Sequence, residues 1–386
     1  MLFRSQNLGG FLGLILSRNT QLNTIDFSEI TGSSKKVVLF IGDGMGVNHV
    51  KATSSYYEKQ MFMTSLEYQG MVSTFSNSLF SPTDSAAAAS SLATGRKFNN
   101  KEVSRHNGID ITTISEKAKN KGLGVGIVTT DNLYGATPAS FSSHANNRGD
   151  TKQIVLAQAK SNIDLFLGAG KTTYEAYKNL FENNGYNYKN DLSLFENNFE
   201  KQIGTFNNIV AENGDNISPT LEMLTEYAIT YLEANYPNGY FLMIEGAHID
   251  KASHSNDIFK MMSYLNSFDE SIKICHDKLQ TQANVTIMVT ADHETGGLNY
   301  NNQTKDEINN SLYTRSGHSS KNVPYFIYQK TKCHEFHLQI PFAFQPLKML
   351  DMGTQHIIHR EQEYLLLLYL LYLFQNPYCN FLYRFQ

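Results

Sequence analysis

Five short apolar runs set the terms for this chain: 37-VVLFI-41, 125-VGIVT-129, 240-YFLMI-244, 285-VTIMVT-290 and 323-VPYFIY-328. Runs that stay apolar, instead of alternating with polar residues, predict strands covered on both faces. Helical stretches lie between them. The segment 112-TTISEKAKNKG-122 opens on Thr, has Glu near N3 and closes on Gly. In 219-PTLEMLTEYAITYLEANY-236 apolar residues recur at helical spacing behind a Pro in the first turn, and 257-DIFKMMSYLNSFDESIKICHDKL-279 is a third such segment. This alternation predicts an α/β fold with a central, mostly parallel β-sheet sandwiched between helices. Residues 170–218, rich in Asn, Lys and Tyr, lack a clear period and are expected to supply surface loops and short helices around the sheet.

A chain of 386 residues with 41% hydrophobic content can bury a large core. Its net charge of −4 and lack of a basic stripe argue against non-specific nucleic-acid binding. Three cysteines, Cys275, Cys333 and Cys379, cannot build a disulfide framework, and Cys275 falls in an apolar-periodic stretch that reads as core. Residues 1–34 form an N-terminal segment; its first twenty, one Arg and then a short Gly-broken apolar run, have the outline of a secretory signal. Residues 35–330 carry the regular pattern. The stretch 331–386 is an atypical tail, and its apolar run 364-YLLLLYLLYLF-374 falls short of the roughly 20 residues a bilayer span needs. Cys333, His337, His356 and His359 in that tail lack the spacing of a zinc site.

Ligands of open α/β sheets bind beyond the carboxyl ends of the strands. Strand 37–41 runs into Gly42, Asp43 and Gly44. Strand 240–244 runs into Glu245, then Asp250 and His254. Strand 285–290 runs into Asp292 and His293, and His318 precedes the last strand. Each has an ordinary explanation alone: a Gly-Asp-Gly turn, or a solvated Asp–His pair on one helix face. Together they gather at one edge of one sheet, beside 81-SPTDSAAAASSLATG-95, where Asp84 or Ser85 can cap a helix of small residues. Asp and His without Cys suit zinc, whereas carboxylate plus hydroxyl suits magnesium.

On these residues the chain resembles the alkaline phosphatase family. IGDGMG (41–46), TDSAA (83–87) with ATG (93–95), ATPA (136–139) with His144 and Arg148, EGAHIDKASH (245–254), TADH (290–293) and SGH (316–318) follow the family's order over about three-quarters of the chain. The resemblance implies a metal-dependent phosphomonoester hydrolase with two Zn²⁺ and one Mg²⁺, acting through a phosphoserine on small-molecule phosphomonoesters. It implies Ser85 as the nucleophile, with Asp43, Asp292 and His293 on one zinc. Asp250, His254 and His318 fall on the second, and Thr137 and Glu245, with Asp43 bridging, on the magnesium. Arg148 is implied as the phosphate clamp, oriented by Asp84, with Lys251 approaching the phosphate through water. A homodimer that is secreted, periplasmic or on the cell surface is implied likewise. A phosphodiesterase or phosphotransferase on the same core is the alternative, and a non-catalytic metal- or phosphate-binding protein is the rival from another class.

The chain departs from the family at two places. Two residues before Thr137 the family usually carries Asp or His, and here stands Gly135. This predicts a looser magnesium site and a Lys251 without its carboxylate partner. The family also continues past the last strand with ordered structure that 331–386 does not resemble.

Overall fold

The computed structural model describes residues 35–78, 81–196 and 201–330. In chain order the strands are β1 Lys35–Ile41, β2 Tyr68–Val72, the short pair β3 Arg105–His106 and β4 Ile109–Asp110, β5 Gly124–Asn132, β6 Leu165–Ala169, β7 Tyr186–Lys189, β8 Lys201–Phe206, β9 Gly239–Glu245, β10 Val285–Thr290, the short pair β11 Glu294–Thr295 and β12 His318–Ser319, and β13 Val323–Lys330. Nine of them form one sheet in the order β2-β13-β10-β1-β9-β5-β6-β8-β7. From β10 to β7 every pairing is parallel, and β13 and β2 close one side in antiparallel pairing.

β1 shows why the sheet is covered on both faces. Val37 to Ile41 are consecutive and all buried, although successive side chains point to opposite faces. Phe40 meets Phe268 of the Ile258–Leu279 helix edge-on at 5.8 Å. Phe241 pairs in register with Val37, on the other face, and stacks on Phe141 of the Ala136–Ser142 helix at 5.9 Å. One helix is therefore fixed to each face by an aromatic contact. Cys275 is fully buried on the long helix, as its periodicity predicts.

The three helices read from the sequence are present at Ile114–Asn120, Leu221–Asn235 and Ile258–Leu279. Thr113 and Glu116 form the expected capping box. The second helix is capped by Thr220, so Pro219 precedes its first turn instead of lying in it. Segment 170–218 needs a larger correction: besides two short helices it contributes β7 and β8 to the sheet. These strands bury polar-bodied residues. The hydroxyl of Tyr186 donates to Ile163 O at 2.9 Å, Tyr188 Oη bonds Thr205 Oγ1 at 2.6 Å, and Gln202 is fully buried. Satisfied polar groups took the place of the apolar run that marks the other strands.

At the amino-terminal edge of the sheet Asp164 ties several elements together. Its carboxylate accepts from Lys119 Nζ (2.7 Å to each oxygen), from Val125 N (2.8 Å) and from Tyr236 Oη, and its carbonyl accepts from Gln202 N at 2.8 Å. At the opposite edge the register aligns Ile41 with both Glu245 and Thr290, and Glu245 with Thr129. Strands β10, β1 and β9 therefore end together, and β5, in register with them, runs on to Asn132. Among the described residues no helix is long and apolar enough to cross a membrane. The signal expected in residues 1–20 and the atypical tail 331–386 lie outside the described residues.

Removing the aromatic contact under β1 tests this packing. Phe268→Ala is expected to cost about 3–5 kcal/mol, read from the shift in the denaturant midpoint. A loss below about 1 kcal/mol would show that the long helix is held by other contacts.

Candidate active site

The aligned strand ends deliver Asp43 after β1, Glu245 as the last residue of β9 and Asp292 after β10. Gly44 has φ +72°, and a Cβ there would lie 2.9 Å from both Asp250 Oδ1 and Thr295 Oγ1. Glycine is thus required at this turn by backbone and by space. It lets the β1 loop close onto the helix His248–His254, which carries Asp250, Lys251 and His254.

Ser85 is the first residue of a helix over Ser85–Thr94, and Asp84 is its cap, accepting from Ala87 N at 3.0 Å. Ala86, Ala87, Ala89 and Ala93 are buried. Their small size brings the Ala136–Ser142 helix close enough for Ser90 Oγ to bond Ser140 Oγ at 3.0 Å. That second helix carries Thr137. Asp84 also accepts from Lys101 N, and its Oδ2 lies 3.4 Å from Arg148 Nη1. His144, from the same motif as Thr137, instead bonds Ser104 O and Glu116 Oε1.

The side chains converge. His293 Nε2 is 3.2 Å from Ser85 Oγ, 3.5 Å from Asp43 Oδ1 and 3.3 Å from Asp292 Oδ2. Asp43, Asp250 and His293 form one compact group of donors, and Asp250, His254 and His318 form another, so Asp250 belongs to both. The supporting contacts occupy one atom of each donor and leave the other. Asp292 Oδ1 accepts from Gly44 N (3.1 Å) and His293 N (2.9 Å), while Oδ2 is buried without a hydrogen bond. Asp43 Oδ1 and Thr137 Oγ1 are buried and unbonded in the same way. Glu245 accepts from Thr129 Oγ1, and Asp250 from Thr295 Oγ1.

The histidines carry the clearest signal. His318 Nδ1 bonds Thr83 O at 2.8 Å and His254 Nδ1 bonds Ser316 O at 2.5 Å. A carbonyl only accepts, so each neutral ring carries its proton on Nδ1 and an unshared pair on Nε2. Those two Nε2 atoms face each other at 3.2 Å. Facing lone pairs beside carboxylates repel unless a cation lies among them, and the donor set, carboxylate and imidazole without thiolate, fits zinc. Carboxylates with the Thr137 hydroxyl fit a harder ion such as magnesium.

Electrostatics agree with a site built for cations. Burial, and then the neighbouring Asp292, Asp250 and Glu245, push Asp43 well above the carboxylate range. Burial and the adjacent Asp131 carboxylate push Glu245 up to about 8. Burial also raises Asp292 and lowers His293 to about 3.

One expectation is overturned. Lys251 does have a carboxylate partner: its Nζ bonds Asp131 Oδ1, from the end of β5. Asp131 stands two residues past run 125–129, and a single carboxylate after a strand carries no spacing that marks it in sequence. A Cβ at Gly135 would lie 2.7 Å from Asp131 Oδ2, so the empty position at 135 is filled from upstream.

Comparisons with known proteins place the chain in a family. A sequence profile described as Alkaline phosphatase matches residues 34–175 and 170–340. The chain is 34% identical over 292 residues to alkaline phosphatase 3 of Bacillus subtilis (strain 168); the match covers 68% of this chain and 62% of that protein, so the chain spans under two thirds of that relative's length. The alkaline phosphatase of the Antarctic bacterium TAB5 superposes with a TM-score of 0.67 at 26% identity, over 77% of this chain and 91% of that one. A mutant of the TAB5 enzyme, described with Mg bound in the M3 site, gives 0.66 at 26% identity with the same coverage.

Proton linkage offers a test of the cluster. Folding keeps Glu245 protonated up to about 8, whereas the unfolded chain ionises it in the ordinary glutamate range. Between these limits the folded state binds more protons, so stability falls as pH rises. Without metal, the parent is expected to lose more stability between about pH 5 and about pH 8 than Glu245→Gln, and zinc plus magnesium to remove most of the parent's loss. The same pH dependence in both chelator-treated proteins would refute the burial of a protonated Glu245.

Proposed function

The chain belongs to the alkaline phosphatase family, and from that premise we propose that it hydrolyses phosphomonoesters with Ser85 as nucleophile. The observation that carries this reading is the pair of facing Nε2 atoms of His254 and His318, 3.2 Å apart, set beside buried, unbonded oxygens of Asp43, Asp292 and Thr137. Asp43, Asp292 and His293 would hold one zinc ion, and Asp250, His254 and His318 the second. Thr137 and Glu245, with Asp43 between, would hold magnesium, a reading supported by the Mg described in the TAB5 mutant. Bound ions supply Lewis-acid charge that makes the serine hydroxyl and water better nucleophiles and offsets charge on the phosphoryl oxygens. A homodimeric assembly and an exported location belong to the same proposal, by family resemblance alone.

The chain's own residues divide the remaining work. Ser85 presents Oγ at a helix start, where the dipole favours an anion. Arg148, turned by Asp84, offers a planar fork to two phosphate oxygens. Attack by Ser85 Oγ forms one phosphorus–oxygen bond as the bond to the departing alcohol breaks, and the alcohol leaves with a proton. Water then attacks the phosphoserine, restores the Ser85 hydroxyl and releases inorganic phosphate. His293 Nε2 lies 3.2 Å from Oγ, which places the hydroxyl against the Asp43, Asp292 and His293 donors.

Turnover of a chromogenic phosphomonoester and its matched diester, with zinc and magnesium supplied, tests the proposal. Monoester release is expected to exceed diester release and to fall roughly a thousandfold or more in Ser85→Ala, with comparable loss after chelation. Arg148→Lys is expected to lose about a hundredfold, since a point charge replaces the fork. Folded, zinc-loaded protein that released neither product would make this a binding protein, and faster diester release would move it to the phosphodiesterases.

A further inference from the structure

We propose that Asp131 is a positioning residue of this site, holding Lys251 and bordering the Thr137–Glu245 pocket from the place a side chain at position 135 would fill. The proposal rests on the reading of that pocket as a magnesium site.

Three independent contacts place Asp131 there. Its Oδ1 bonds Lys251 Nζ, joining β5 to the helix that also carries Asp250 and His254. Its backbone N bonds Thr129 Oγ1 at 2.9 Å, and the same hydroxyl donates to Glu245. Its Oδ2 lies 2.7 Å from where a Cβ at Gly135 would stand, and Asn132 O lies 2.9 Å from that point. Asp131 in this position and any side chain at 135 therefore exclude each other. The pairing of β5 with β6 slips between Val128 and Asn132, and such irregularities re-aim side chains at strand ends.

The chemistry suits the place. A lysine held by a carboxylate keeps its ammonium in one direction instead of sweeping solvent, and a carboxylate beside Glu245 deepens the negative potential a small hard cation meets. An ordinary surface ion pair would do neither to a measurable extent. Asp131 is four-fifths buried at its side chain while Lys251 is half exposed, so the carboxylate is the fixed member and the lysine the held one.

Exchange of the carboxylate between positions 131 and 135 tests this directly. Zinc-saturated full-length protein is titrated with Mg²⁺ by calorimetry, without substrate, and zinc content and circular dichroism are recorded for each variant. Asp131→Asn is expected to weaken Mg²⁺ binding about tenfold. Gly135→Asp in the parent is expected to bring no gain, because it displaces Asp131. The double variant Asp131→Ala/Gly135→Asp is expected to bind within about threefold of the parent and tighter than Asp131→Ala, a non-additivity that general destabilisation does not produce. Parent-like Mg²⁺ binding by Asp131→Asn, tightening by Gly135→Asp alone, or no recovery in the double variant would each overturn the proposal. Monoester turnover by the same parent preparation is read separately, so loss of the phosphatase reading and loss of this one are distinguishable.

Discussion

Carboxyl groups held together at the ends of three adjacent parallel strands are the constraint around which this molecule is arranged. Asp43, Glu245 and Asp292 come from β1, β9 and β10, and Asp250 is brought against them where Gly44 removes a side chain. Burying such groups unpaired costs several kcal/mol each. The surrounding contacts limit that cost without cancelling it. Two amides hold Asp292, hydroxyls of Thr295 and Thr129 hold Asp250 and Glu245, and carbonyls hold His254 and His318. Every one of these grips a single atom and leaves its neighbour turned inward. The apolar sheet beneath, sealed by Phe268 on one face and Phe141 on the other, supplies the stability that such an arrangement spends.

Ser85, the proposed nucleophile, is joined to this cluster by composition as much as by any one residue. Alanine along the Ser85–Thr94 helix lets the helix bearing Thr137 approach until serines bond across the gap. Asp84 then serves a helix amide, a loop amide and the arginine at once. One carboxylate both caps the helix and meets the arginine proposed to bind phosphate.

Much of this could be read from the sequence because the fold and the site share a periodicity. Fully apolar runs announced five strands, and the residues just after three of them announced the donors. What stayed hidden had physical reasons. β7 and β8 bury tyrosine, glutamine and threonine with their polar atoms satisfied, so no apolar run marks them. Thr295 and Thr129 act through hydroxyl contacts that spacing cannot foresee. Gly135 was legible as a missing side chain, but its replacement lay four residues upstream, within reach only once β5 and the His248–His254 helix are side by side. The family matched through 34–340 agrees with the motif order, while the finer ligand assignments stay with the proposal.

The Asp164 knot gives the opposite edge of the sheet a part in this. It grips Val125 at the start of β5 and Gln202 at the start of β8, fixing how β5 lies against its neighbours. Asp131 stands at the far end of that same strand, and a slip of one residue would turn the strand's side chains to the wrong face. The aim of the Asp131 carboxylate beside Lys251 is therefore inherited from a buried aspartate at the other end of the strand. Sequence change at the quiet edge is felt at the working one as a change of alignment, with no residue of the site altered.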